Sequence, residues 1–264
     1  MMISIQQVLD YLIAPIGLLE NTVDRLETGK PDTEVTGIGV TFMPTYHVIQ
    51  QAIELGINLL ITHEGIYYSH QCSPELLQND PVYLQKRRLI EESGIAIFRL
   101  HDYIHKYKPD MITSGLIQAM NWEGYIERVH PNSTIVDLPE MTVAEIANDM
   151  KLKLRIPYVR IVGDRLLSCK RAGILVGYRG GGTNVIPLFT AENLDVVIVG
   201  EGPEWEAPEY VRDAAQQGRQ TALIVMGHAE SEAPGMRALA KQLQAVYHPL
   251  PVHFMEERPL FQIG

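Results

Sequence analysis

Three short stretches of the 264-residue chain place imidazoles and carboxylates at spacings suited to holding cations. His63 and Glu64 are adjacent in LLITHEG, His101 and His105 are four apart in HDYIH, and His228 and Glu232 are four apart in GHAESE. On a helix, residues four apart share a face, with side chains about 5–6 Å from each other. Imidazoles and carboxylates without a thiolate suit Zn, Fe, Mn or Ni better than a cysteine-built structural zinc site. The set exceeds what one tetrahedral ion needs, so the expectation is two divalent transition-metal ions per subunit. The expected ligands are His63, Glu64, His101, His105, His228 and Glu232. Glu64 or Glu201, whichever is not a ligand, is the candidate general base. The zincin motif is excluded: Gly65 interrupts the stretch, and Tyr67 stands where the second histidine would be.

These residues need elements that deliver them to one place. VTGIGVTF (35–42), INLLIT (57–62) and IAIFRL (95–100) are β-rich and bounded by turn residues, so they read as strands. PTYHVIQQAIELG has an apolar period of 3.6 and stops at Gly56, and residues 81–94 read as a second helix. ENTVDRLETGKPDTEV reads as a surface connection, and Lys86-Arg87-Arg88 as a solvated helix face.

The same order returns later. RAGILVGY (171–178), DVVIVGEG and TALIVMGH read as strands, with helices in TNVIPLFTAENL and PEYVRDAAQQG. Pro187 falls in the first turn of its helix or kinks it. GINLLITHEG aligns with NLDVVIVGEG, and IAIFRLHDYIH with ALIVMGHAESE, pairing Glu64 with Glu201, His101 with His228 and His105 with Glu232. Glu64 and His101 are 37 residues apart, Glu201 and His228 27, so the first copy is longer. Residues 134–163 add strands to the second copy. Strands alternating with helices make parallel or mixed sheets, whose ligands gather at strand carboxyl ends.

Other polar residues carry less. His70 reads as a surface residue within reach of the site, and His47, His130, His248 and His253 as packing or surface residues. Asp102 is a candidate orienting acceptor for His101, or a helix cap. Gly180-Gly181-Gly182 reads as a permissive turn before an anion nest, since it lacks the lysine of a P-loop. Ile66 and Tyr68 lie in a loop that a monomer has no reason to expose, which favours a homo-oligomer.

The composition excludes whole classes. A formal net charge of −10 and a pI near 5.4 argue against nucleic acid as partner. Cys72 and Cys169 form no metal or redox pattern. The N-terminal residues lack a basic leader and read as an amphipathic helix. With no run approaching a membrane span, the chain is expected to be soluble and cytoplasmic.

The stretches VTGIGVTFMPTYHVIQQAIELGINLLITHEG, RLHDYIH, GILVGYRGGGTNVI, VVIVGEG and GHAESE resemble the Nif-three-like dinuclear-metal proteins, the GTP cyclohydrolase 1 type 2 homologs. The resemblance covers essentially the whole chain. It implies an α/β fold of two similar lobes with mixed sheets, approximately 1–125 and 126–264, without an inserted domain. It places the metal site between the lobes at strand carboxyl ends, in a homohexamer. It also implies a metal-dependent hydrolase of a small-molecule substrate, possibly nucleotide-like in class. The alternative is a non-catalytic metal-binding, metal-delivery or scaffold protein. Two positions depart from the family pattern: His63-Glu64 replaces a usual His-His pair, and His105 replaces a usual aspartate. The expectation is that the two exchanges compensate each other at one metal cluster.

Overall fold

The computed structural model describes residues 3–70 and 74–263, so Cys72 lies outside the described residues. In chain order the elements are α1 (Ile5–Ile13), β1 (Arg25–Thr28), β2 (Ile38–Thr41), α2 (Tyr46–Glu54), β3 (Leu59–Thr62), α3 (Pro81–Ser93), β4 (Ala96–Arg99) and α4 (Asp102–Lys106). There follow α5 (Met111–Ala119), β5 (Ile126–Val129), β6 (Thr134–Thr142), α6 (Val143–Leu154), β7 (Arg160–Val162) and β8 (Ser168–Leu175). The last are α7 (Gly182–Ala191), β9 (Val196–Val199), α8 (Ala207–Gln216), β10 (Ala222–Val225), α9 (His228–Val246) and β11 (Val252–Phe254). Two compact units result: Met1–Met111 with Met236–Arg258, and Ile112–Gly235 with Pro259–Gly264.

The first unit is a five-stranded sheet in the order β1-β4-β3-β2-β11. β11, β2, β3 and β4 run parallel, and β1 closes the edge antiparallel to β4. Every residue of β2, β3 and β4 is buried, as expected of parallel strands covered on both faces. The core on one face is aliphatic: Val48, Ile49 and Ala52 from α2 and Ile90 from α3 meet Leu60 and Ile97. α1 begins with a reciprocal cap between Ser4 and Gln7 and buries Ile5, Val8, Leu9 and Leu12 along one stripe.

The second unit is a six-stranded sheet in the order β5-β6-β8-β9-β10-β7. β8, β9 and β10 are parallel, whereas β7 is antiparallel to β10 and β6 to β8. Val185 and Phe189 of α7 and Val211 of α8 pack on Val197, Val199 and Leu223. Pro187 sits inside α7, beyond its first turn.

The internal repeat is present in the topology and reaches further than the sequence match. In each unit an antiparallel edge strand precedes three parallel strands in chain order. The spatial order β1-β4-β3-β2 corresponds to β7-β10-β9-β8. Three local expectations need correction. Residues 20–35 are not only a connection, because they contain β1, whose short and mostly polar sequence hides an edge strand. Lys86 is buried, since its ammonium donates to the Ile66 carbonyl at 2.6 Å. Ile66 is buried in the core beside α2 and α3, while Tyr68 is exposed as expected.

Candidate metal centre

Strand register explains how the first unit assembles its polar cluster. Thr41, Thr62 and Arg99 are paired neighbours at the carboxyl ends of β2, β3 and β4. One step beyond Thr62 comes His63, and two steps beyond Arg99 comes His101, so the apolar strands end at one level and release both imidazoles there. α4 then adds His105 one turn later. One ring nitrogen from each of His63, His101 and His105 lies within 4.8 Å of the other two. The His63 and His101 rings stack at 4.6 Å, and His105 meets both edge-on at 5.1 and 5.3 Å.

Each imidazole is oriented by a different acceptor. His63, fully buried, donates from Nδ1 to the Leu100 carbonyl at 3.1 Å. His101 donates from Nδ1 to Asp102 at 2.9 Å, and His105 from Nδ1 to the Asp110 carboxylate at 3.1 Å. Acceptor-only partners put a proton on each Nδ1, the arrangement by which metal-ligating imidazoles are oriented. Burial, then the neighbouring His63, push His101 down to about 3 against the raising effect of its Asp102 bond, with His105 and Arg99 adding to the depression. The ring is neutral near pH 7. Burial alone would raise Asp102, but bonds from His101, Thr22 and the Val23 amide outweigh it and hold its carboxyl below the usual value.

Glu64 joins this cluster with one oxygen. Its Oε1 lies 3.9 Å from Nε2 of His101, while its Oε2 accepts from Arg99 at 3.0 Å. Arg99 is 1% exposed and spreads its donors over the loop after β3, reaching the carbonyls of His63 and His70 at 3.4 and 2.6 Å. A guanidinium is tolerated at such depth because its donors meet acceptors. Arg99 also donates to Nδ1 of His70, which brings that half-exposed imidazole against His101 at 5.0 Å. Sequence reasoning missed Arg99, Asp110 and Asp24. The Asp24 carboxylate accepts the backbone amides of His101, Asp102 and Tyr103, capping α4 from 77 residues away. Burial raises the Asp24 carboxyl despite those bonds. Arg99 ends β4 and Asp24 precedes β1, so a charged residue in or beside a strand is the signal for these two, whereas Asp110 stands between α4 and α5 with no such mark.

The second unit repeats the arrangement with fewer imidazoles. β9 ends at Val199, two residues before Glu201, and β10 at Val225, three before His228, which opens α9. Nδ1 of His228 lies 3.0 Å from Glu201, and its Nε2 lies 3.2 Å from Oε2 of Glu232 one turn along the helix. Glu232 is almost wholly buried, whereas Glu201 is half exposed. Gly177, at φ +61°, makes room: a Cβ there would overlap the Glu232 carboxylate and stand 3.3 Å from Nε2 of His228. Ser231 secures this turn, accepting from the Gly177 amide and donating to the His228 carbonyl.

The remaining candidates fall elsewhere. His47, His248 and His253 are exposed, and His130 pairs with Glu192 at 2.9 Å. In the glycine loop the Gly180 amide donates to the Glu201 carbonyl and the Gly182 amide to the Glu206 carboxylate, which gives that turn internal partners. The donor set in each unit fits a borderline divalent cation: oriented imidazoles beside carboxylates. No helix among the described residues is long and apolar enough to cross a membrane.

Comparison with known proteins agrees with this fold. A curated protein of Clostridium acetobutylicum named GTP cyclohydrolase 1 type 2 homolog is 23% identical over 250 residues, covering 91% of this chain and 88% of its own. The crystal structure of a Staphylococcus aureus hypothetical protein matches with a TM-score of 0.76 at 20% identity, covering 98% of this chain and 99% of that one. A Bacillus cereus protein related to NIF3 matches with a TM-score of 0.75 at 13% identity, covering 99% of each chain. The family described as Duf34/NIF3 (NGG1p interacting factor 3) matches residues 5–259. With nearly its whole length accounted for, the chain belongs to the Duf34/NIF3 family.

Proposed function

We propose that this protein binds two divalent transition-metal ions per chain, drawn from Zn, Fe, Mn and Ni, and acts as a metal-dependent hydrolase of a small molecule. The observation that carries the reading is the orientation of His63, His101 and His105. Each has Nδ1 committed to an acceptor, and a ring nitrogen of each comes within 4.8 Å of the others. Glu64 and the His228–Glu232 pair complete the proposed ligands. Bound divalent ions supply a water of lowered pKa and polarise the scissile group. Among the carboxylates, Glu64 is tied to Arg99, whereas Glu201 is half exposed with one oxygen on His228. Glu201 is therefore the better proton acceptor, and Glu64 the better ligand. The name of the Clostridium relative supports a nucleotide-like substrate class.

The decisive experiment measures elemental content of purified protein, then turnover against nucleotides, phosphoesters and cyclic amides at graded metal loading. Turnover that follows loading supports the hydrolase. Bound metal without turnover across the panel favours a metal-delivery or scaffold protein instead. Within the same reading the protein is a cytoplasmic homohexamer, in keeping with the family resemblance and with exposed Tyr68. Light scattering at micromolar concentration tests this, and a monomer would overturn it.

A further inference from the structure

We infer that Trp205 and Tyr178 are a stacking platform beside the second unit's cluster, and that the substrate carries a planar heteroaromatic ring which this platform holds next to Glu201. The inference rests on the hydrolase reading above and narrows its substrate to molecules with such a ring.

Both aromatics stand in loops at the carboxyl ends of parallel strands, where open α/β sheets hold their ligands. Tyr178 follows the end of β8 by three residues, and Trp205 the end of β9 by six. The two loops pack backbone to backbone. The Gly180 amide donates to the Glu201 carbonyl at 2.9 Å, and a Cβ on Gly202 would stand 2.4 Å from the Gly180 carbonyl oxygen. Tyr178 adjoins Gly177, whose missing side chain leaves room for Glu232 and Nε2 of His228. Trp205 comes four residues after Glu201.

The turn that carries Trp205 is anchored on both sides of it. Glu204 pairs with Arg160 of β7 at 2.5 Å, and the Glu206 carboxylate accepts the Gly182 amide at 2.6 Å. The Glu206 amide closes the turn on the Pro203 carbonyl at 3.2 Å. The indole held there is nevertheless 76% exposed, and Tyr178 is 62% exposed. Tryptophan is highly buried on average, so an indole left in water on an anchored turn is out of the ordinary. A fixed aromatic face loses little freedom on binding and stacks on any planar π-system. Glu201, Glu204 and Glu206 bracket the indole in the chain and oppose a phosphate at this position, which leaves an uncharged ring as the group that docks.

The chain has two tryptophans, and the other, Trp122, is 4% exposed, so Trp205 is the fluorescent reporter of its own surface. The metal-loaded protein is titrated with adenosine, inosine and cytidine, with ribose as the ring-less control. All three nucleosides should quench the emission saturably, and ribose should not. Calorimetry should show Trp205→Ala weakening nucleoside binding by about five- to a hundredfold, the scale of one lost base–aromatic stack. Trp205→Phe should keep the affinity within about threefold while losing the fluorescence response. Tyr178→Ala should weaken binding and Tyr178→Phe should not. Metal content should stay as in the wild type in all four variants, with circular dichroism melts confirming their fold. Unchanged affinity in Trp205→Ala, equal binding of ribose, or no nucleoside bound by the wild type overturns the inference. Light scattering in which Trp205→Ala lowers the oligomeric mass also overturns it, in favour of a contact between copies. Nucleoside binding that depends on Trp205 without turnover of any ring-bearing substrate overturns the hydrolase reading and leaves the platform standing. Metal-dependent turnover that Trp205→Ala does not alter does the reverse.

Discussion

Nδ1 of His228 lies 3.0 Å from Oε2 of Glu201. The ring thus lies between two carboxylates, its Nε2 3.2 Å from Glu232, while Glu201 remains half exposed. In the proposed function this one carboxylate both orients His228 and accepts a proton, and two substitutions separate the roles. Glu201→Gln keeps an acceptor for His228 and should retain metal, while any hydrolytic turnover falls by about 10²–10⁴-fold. Glu201→Ala removes the acceptor as well and should weaken metal binding by about 10–100-fold. Elemental analysis and turnover on both variants check the split, and equal metal loss in the two would refute it.

His228→Ala should cost the protein most of the metal that depends on its second unit. The imidazole contributes the oriented nitrogen beside buried Glu232, and alanine leaves that carboxylate without its neighbour at 3.2 Å. Elemental content per chain is the measurement. Substituting exposed His253 is the control and should leave it unchanged.

Gly177→Ala should disturb the same pair by crowding. The added methyl overlaps the Glu232 carboxylate, and φ of +61° adds roughly 1–2 kcal/mol of left-handed strain. Gly218→Ala, at φ +78° with open space around it, pays only the backbone cost. Thermal melts should show both variants destabilised, with metal affinity lowered only in the first.

Asp24→Ala should loosen α4 and with it two proposed ligands, His101 and His105. Three backbone amides at residues 101–103 lose their acceptor, so the expected cost is at least the 0.5–2 kcal/mol or so of a lost helix cap. Hydrogen exchange at those amides should accelerate, and metal binding should weaken although no ligand has been altered.

The alternation of strands and helices was legible in the chain because apolar periodicity is a local property. Buried runs such as LLIT and VVIV declare covered strands without reference to anything distant. The polar residues His63, Glu64, His101 and His228 were legible for the same reason: each stands where an apolar run stops. Even the repeat could be seen, since it preserves the order of elements and the residues that end them.

What surrounds those residues was decided by the tertiary structure. β1 is short and polar, so it becomes a strand only through pairing with β4. Lys86 lies within a charged run and is buried only because the loop after β3 brings the Ile66 carbonyl to it. Arg99 meets Glu64 across 35 positions, and Asp24 meets the amides of α4 across 77 or more. Such partnerships depend on strand register and loop paths, which set distances between residues that no sequence window contains. Composition and spacing single out the candidate ligands. Only the packed fold determines which buried charge or acceptor stands behind each one, because electrostatic pairing acts over a few ångströms of space whatever the separation along the chain.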